Sequence, residues 1–226
     1  ACALRLMGRL KRQRSGPCIT APPLDRFFSA LPFRPTGAQH RAAEQIMADM
    51  QSGLAMNRLV QGDVGSGKTL VAAAAAWAVC STGRQAALMA PTEILAAQHY
   101  ATMSDLLAPL GIRVALLTGS MRAKEKRTVL EGIRSGSIQL IVGTHALISE
   151  DVVYDRLSLV ITDEQHRFGV KQRSALADKS SSPHVLVMSA TPIPRTLALM
   201  LYGDLDVSII DELPPGRQKV DTFAVN

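Results

Sequence analysis

The feature that most restricts this chain is Gly62-Asp63-Val64-Gly65-Ser66-Gly67-Lys68-Thr69, a complete G-x-x-x-x-G-K-T. It follows a short apolar run, Arg58-Leu59-Val60, and opens into the alanine-rich stretch Lys68 to Cys80. Strand, glycine loop and helix, in that order, are the context a phosphate-binding loop requires. Glycine lets the backbone curl until its N–H groups point inward at phosphate oxygens, and the helix N-terminus adds partial positive charge. In such a loop Lys68 reaches the β- and γ-phosphates and the Thr69 hydroxyl ligates magnesium. The plainer reading, a glycine turn with an exposed lysine, leaves the flanking strand and helix without a purpose.

A loop of this kind needs a covered sheet around it, and the remaining residues fit one. Of 226 residues 47% are apolar and only 4% aromatic, enough to bury a core and too apolar for a disordered chain. Short apolar runs recur at Ala86-Ala87-Leu88-Met89, Val114-Ala115-Leu116-Leu117, Leu140-Ile141-Val142, Leu159-Val160-Ile161 and Val185-Leu186-Val187-Met188. Segments of helix length separate several of them: Lys68 to Cys80, Ile94 to Leu110 and Arg122 to Ser135. Thr36 is the expected N-cap of a further helix through Gln39, Ala43, Ile46 and Met50, ending near Gly53. Unalternating runs joined by helices predict an α/β domain: a mostly parallel central sheet with helices on both faces.

Other classes fall away. The longest apolar run, Leu70 to Cys80, is about half of the ~20 residues a membrane-spanning helix needs. Cys2, Cys18 and Cys80 are scattered, with no C-x-x-C pair, which disfavours a disulfide scaffold or a structural zinc. The formal net charge of +6 suits a polyanionic partner without requiring one. Ala1 to Arg14 carries Arg5, Arg9, Lys11, Arg12 and Arg14 and no acid. It reads as a basic tail from a preceding domain in preference to a transit peptide, and the initial alanine suggests a fragment. Ser15 to Pro23 holds three prolines and is expected to break any helix. The expected division is therefore a linker over 1–30, an α/β domain over 31–212, and the start of a second linker over 213–226.

Two more motifs follow apolar runs. Leu157 to Thr162 leads straight into Asp163-Glu164-Gln165-His166. Acids after a buried strand are costly unless they face an ion or water. At the carboxyl edge of a parallel sheet they face the glycine loop across a crevice. There Asp163 is expected to hold magnesium through its water shell and Glu164 to take a proton from the attacking water. Alone, such a pair reads as a solvated turn; the glycine loop is what makes it chemistry. Ser189-Ala190-Thr191-Pro192 follows Val185 to Met188. Its hydroxyls are expected to bond His166 or a phosphate-linked water and so couple nucleotide state to motion, although in isolation it reads as a Ser/Thr turn.

In this order and spacing the three motifs resemble the first, RecA-like motor domain of superfamily-2 DNA helicases, and more closely the RecG type that acts on branched DNA. The resemblance is carried by Leu31-Pro32-Phe33 leading to Gln39, by Gly62 to Thr69, by Ala90-Pro91-Thr92-Glu93-Ile94-Leu95-Ala96 and by Leu117-Thr118-Gly119-Ser120. It continues through Val142-Gly143-Thr144-His145-Ala146-Leu147, Asp163 to Val170, Ser189 to Thr196, Tyr202 to Asp206 and Asp211-Glu212-Leu213-Pro214-Pro215-Gly216-Arg217. A related class, the transcription-repair coupling translocases, usually has D-E-E-H at the second motif and a different tail.

The resemblance implies that Gln39 reads the adenine edge, and that Gly62, Asp63, Gly65, Ser66, Gly67, Lys68 and Thr69 hold ATP with Mg2+. It further implies catalysis by Lys68, Asp163 and Glu164, and coupling by His166, Ser189 and Thr191. Pro91, Thr92, Thr118, Gly119, Ser120, Thr144 and His145 match loops that grip nucleic-acid backbone without reading bases. Pro35 and Gly37 depart from the usual pattern around that glutamine. The implied setting is a cytoplasmic, nucleoid-associated bacterial monomer working on DNA forks and junctions. A second motor domain in cis would complete the ATP site with an arginine finger.

Overall fold

The structure, a computed structural model, describes residues 15–163, 175–180, 182–190 and 205–212. Seven strands form one sheet: β1 (Asn57–Gly62), β2 (Gln85–Met89), β3 (Val114–Leu117), β4 (Leu140–Gly143), β5 (Leu157–Asp163), β6 (His184–Ser189) and β7 (Asp206–Ile210). Their spatial order is β3-β4-β2-β5-β6-β1-β7, and every described pairing is parallel. All six runs expected as strands are strands. The helices are α1 (Leu24–Phe28), α2 (Gly37–Gln51), α3 (Lys68–Cys80), α4 (Glu93–Leu107) and α5 (Ala123–Arg134).

The sheet is buried on both sides, as its unalternating runs require. Leu88, Val142, Leu159 and Ile161 pack with α2, α3 and α4 on one face. Ala87, Met89, Ile141 and Val160 pack with Leu117, Ile133 and Leu147 on the other. Helix α3 is buried from Leu70 to Cys80. Its alanines allow close approach to the sheet, while Trp77 fills the outer gap beside Phe27 with ring centroids 5.7 Å apart. Burial pushes the Cys80 thiol up to about 12, so it stays a small apolar side chain.

Ile19 and Phe27, ahead of residue 31, are fully buried in the main core. Strand β7 was not expected, since Asp206-Val-Ser-Ile-Ile mixes polar residues into an edge position. A buried polar cluster fixes it. Arg58 Nη1 donates to Ser208 Oγ at 2.8 Å and Arg58 Nη2 pairs with Asp49 at 2.8 Å, while Ser208 Oγ donates to Gln45 at 2.6 Å. An arginine only 8% exposed is tolerable because those partners satisfy its guanidinium. Residues 1–14 and 213–226 lie outside the described residues.

Candidate functional site

Parallel pairing sends the carboxyl ends of all the strands to one edge, and the predicted motifs gather there. Register places Asp163 beside Met188, and Gln61 beside Ser189, so the ends of β5, β6 and β1 are neighbours. The other half of the edge, β3-β4-β2, carries the loops at Thr118–Ser120, Thr144–His145 and Pro91–Thr92. Nucleotide motifs and expected strand-gripping loops thus occupy separate halves of one edge. They meet where β2 adjoins β5.

At the glycine loop, Gly65 and Gly67 have φ of +79° and +87°, a left-handed conformation that glycine adopts without strain. A Cβ at Gly67 would collide with the Gln39 amide. Lys68 folds back over the loop, its Nζ donating to Gly62 O at 2.7 Å and Asp63 O at 2.8 Å. Partial burial pulls the Lys68 ammonium below its ordinary value, while the charges of Asp163 and Asp63 oppose that shift. Ser66 is 1% exposed and its Oγ has no hydrogen-bond partner among the described residues. An orphaned hydroxyl, a cation held on loop carbonyls, an unencumbered helix N-terminus and a facing carboxylate together suit a phosphate chain with a divalent cation. Thr69 lies in the first turn of α3, immediately after Lys68.

Gln39 belongs to a capping box on α2. Its Oε1 accepts from Thr36 N at 2.9 Å, and its own N–H donates to Thr36 Oγ1 at 3.2 Å. Its Nε2 donates to Ser66 O at 2.8 Å, and the side chain is buried. The amide therefore fastens the helix cap to the glycine loop. One N–H and one lone pair are left over, the complement an adenine edge requires.

On the other half of the edge, Thr92 caps α4, its Oγ1 accepting from Leu95 N at 3.3 Å. Glu93, next to it, takes both donors of Ser120: N–H at 3.1 Å and Oγ–H at 2.6 Å. Those hydrogen bonds hold the Glu93 carboxyl below the usual carboxylate range. Thr118 and Thr144 are buried, and Thr144 Oγ1 lacks a partner among the described residues. Gly119 and His145 are exposed. Glu164, His166 and Thr191 lie outside the described residues; Asp163 and Ser189 stand at the strand ends where they were expected.

Sequence reasoning missed two residues here. Glu93 joins two expected strand loops, and His99 of α4 lies 2.6 Å from Asp163. A signal for His99 existed: three residues after buried Ala96 and four before buried Met103, it lies on the inward face of α4, where a polar side chain needs a partner.

Comparison with known proteins adds the following. Residues 36–200 match the family model described as DEAD/DEAH box helicase. The ATP-dependent DNA helicase RecG of Aquifex aeolicus is 55% identical over 88% of this chain, and that of Bacillus subtilis 54% identical over 89%. The RecG of Escherichia coli K12 is 55% identical over 89%. This chain spans 25% of the first relative's length and 30% of the other two. A structure of RecG bound to a three-way DNA junction matches 96% of this chain at 46% identity with a TM-score of 0.83, covering 30% of that protein. A DNA-bound DUF1998 helicase, MrfA, shares the fold at a TM-score of 0.65 and 16% identity, over 87% of this chain and 30% of its own.

Proposed function

Because this chain belongs to the DEAD/DEAH box helicase family, we propose that it forms the ATP-binding half of a DNA translocase that remodels forks and junctions. The observation that carries this reading is the shared sheet edge, where the glycine loop, Asp163 and Ser189 stand beside the loops after β2, β3 and β4. Similarity to RecG, whose structure bound to a three-way DNA junction matches 96% of this chain, supports branched DNA as the substrate class.

Mg-ATP, when bound, supplies the phosphoanhydride whose hydrolysis drives the motor. The chain's own groups have separable tasks. Lys68 leaves the carbonyls of Gly62 and Asp63 and turns its ammonium to the phosphates. Ser66 and the N–H groups from Gly65 to Thr69 cradle phosphate oxygens, and Thr69 and Asp163 hold the cation. Glu164 takes the proton of the attacking water. Ser189, Thr191 and His166 relay nucleotide state toward the strand loops. Gln39 offers adenine the N–H and the lone pair that its bonds to Ser66 and Thr36 leave over. Pro91, Thr92, Thr118, Gly119, Ser120, Thr144 and His145 hold phosphodiester backbone, and Ser120 does so when Glu93 yields its two hydrogen bonds. A second motor domain in cis completes the ATP site and supplies the alternate grip. The protein acts as a cytoplasmic monomer on the nucleoid.

The test is ATP turnover by the intact protein with forked DNA, linear duplex or no DNA. Forks should stimulate turnover most. Equal rates in all three conditions would contradict a branched-DNA motor.

A further inference from the structure

We propose that His99 is the positioning residue for Asp163, holding its carboxylate in the orientation that receives the metal–nucleotide. This rests on the nucleotide-site reading above. The inference starts from a single contact between elements far apart in the chain. Asp163 ends β5 at the sheet edge, and His99 projects from α4, the helix that follows β2. Their side chains are 17% and 12% exposed, and His99 Nε2 lies 2.6 Å from Asp163 Oδ2. Because the carboxylate can only accept, Nε2 carries the proton and donates it.

Three observations give this contact its meaning. First, among the described residues no group of three His, Cys, Asp or Glu side chains converges to hold a metal ion. Asp163 is the carboxylate that ends β5 at this edge, and a carboxylate left to itself samples many orientations. Second, the bond to His99 engages Oδ2 and leaves Oδ1 for the cation or its water shell. A hydrogen-bonded partner behind a ligating group is how proteins fix a ligand's direction, and its loss typically weakens metal binding about 10- to 100-fold. Third, the charge of Asp163 opposes the lowering that burial imposes on the Lys68 ammonium, so carboxylate and glycine loop are electrostatic neighbours. An Asp163 turned away would lose both relations.

The contact also has a place in the architecture. His99 lies six residues after Glu93, the residue that binds Ser120 in the neighbouring loop. Helix α4 therefore touches the expected strand-gripping loops with its first turn and the metal-holding carboxylate with its second.

The probe is ADP with Mn2+, the ion followed by electron paramagnetic resonance, on the full chain and two variants. His99→Phe keeps a ring and removes the donor; His99→Gln restores an Nε2 donor. The Mn2+ half-saturation point at fixed ADP should rise about tenfold in His99→Phe. It should return to within about threefold of the unmodified chain in His99→Gln, and metal-free ADP affinity should change less than about twofold in both. An unchanged Mn2+ half-saturation in His99→Phe overturns the proposal, and so does an equal weakening of metal-free ADP binding, which marks a merely structural role. A chain that binds no ADP contradicts the nucleotide site itself, and the proposal falls with it. Should His99→Phe fail to fold, the unmodified chain decides. The His99 Nε2 resonance of the ADP-bound chain should shift on adding Mg2+, and an unmoved resonance overturns the proposal.

Discussion

At the first residue of β6, His184 carries two hydrogen bonds that define its tautomer. Its Nδ1 accepts from Met56 N at 3.0 Å, and its Nε2 donates to Pro17 O at 2.7 Å. The ring is 0% exposed, and burial holds it below its ordinary value near 6.5, partly offset by the bond to Pro17. A second proton would have to enter on Nδ1, displacing the Met56 bond. The unfolded chain therefore takes up a proton first as the pH falls. This contribution to stability is complete above about pH 6.5 and is lost from there down toward the depressed folded value. The melting temperature should fall between about pH 7.5 and pH 5.5, and His184→Gln, which can make both bonds without titrating, should flatten that fall. Identical profiles for the two proteins would show that His184 is not the group responsible. Lys68 and His99 show the other use of polar residues here: both are partly buried, Lys68 bonded to loop carbonyls and His99 to the Asp163 carboxylate.

At the scale of elements, the join between α2 and the glycine loop is the most exposed to test. Thr36 and Gln39 cap the helix reciprocally, and the same amide reaches Ser66 O. Thr36→Ala should lower stability to urea by about 0.5–2 kcal/mol, the usual worth of such a cap. A change of only a few tenths would mean that the Gln39–Ser66 bond carries the join unaided. This part was legible in advance because a Thr before a helix-period run is a local signal. So were the six strands with both faces covered, whose unbroken apolar runs leave no other reading, and the glycine loop, whose chemistry is written in eight consecutive residues. Strand β7 was not legible. Its place depends on Arg58 and Gln45 binding Ser208, residues more than 140 positions apart in sequence. Helix α1 is short and follows two prolines, and it is the burial of Phe27 against Trp77, with Leu24 and Phe28 beside it, that marks it as part of the core. The pairing of His99 with Asp163 was hidden for the same reason, since it is made by the adjacency of β2 and β5.

For the whole molecule, strand order divides the working edge. The end of β5-β6-β1 carries the residues proposed to hold the nucleotide, and the end of β3-β4-β2 presents the loops proposed to hold DNA. Translocation needs a second body that closes and reopens against this one, and this chain spans only 25–30% of its RecG relatives. Residues 1–226 alone should therefore not separate the strands of a forked DNA, while binding DNA weakly and with strong salt dependence. ATP-dependent unwinding by this chain alone would contradict the division of labour between two bodies. The central claim is that this edge is a nucleotide site organised by Lys68. Calorimetric titration of the chain with Mg-ADP, beside the Lys68→Ala variant, tests it most directly. The account predicts saturable binding that Lys68→Ala abolishes while the variant's melting curve stays near that of the unmodified chain. Equal affinity in the two proteins would contradict it.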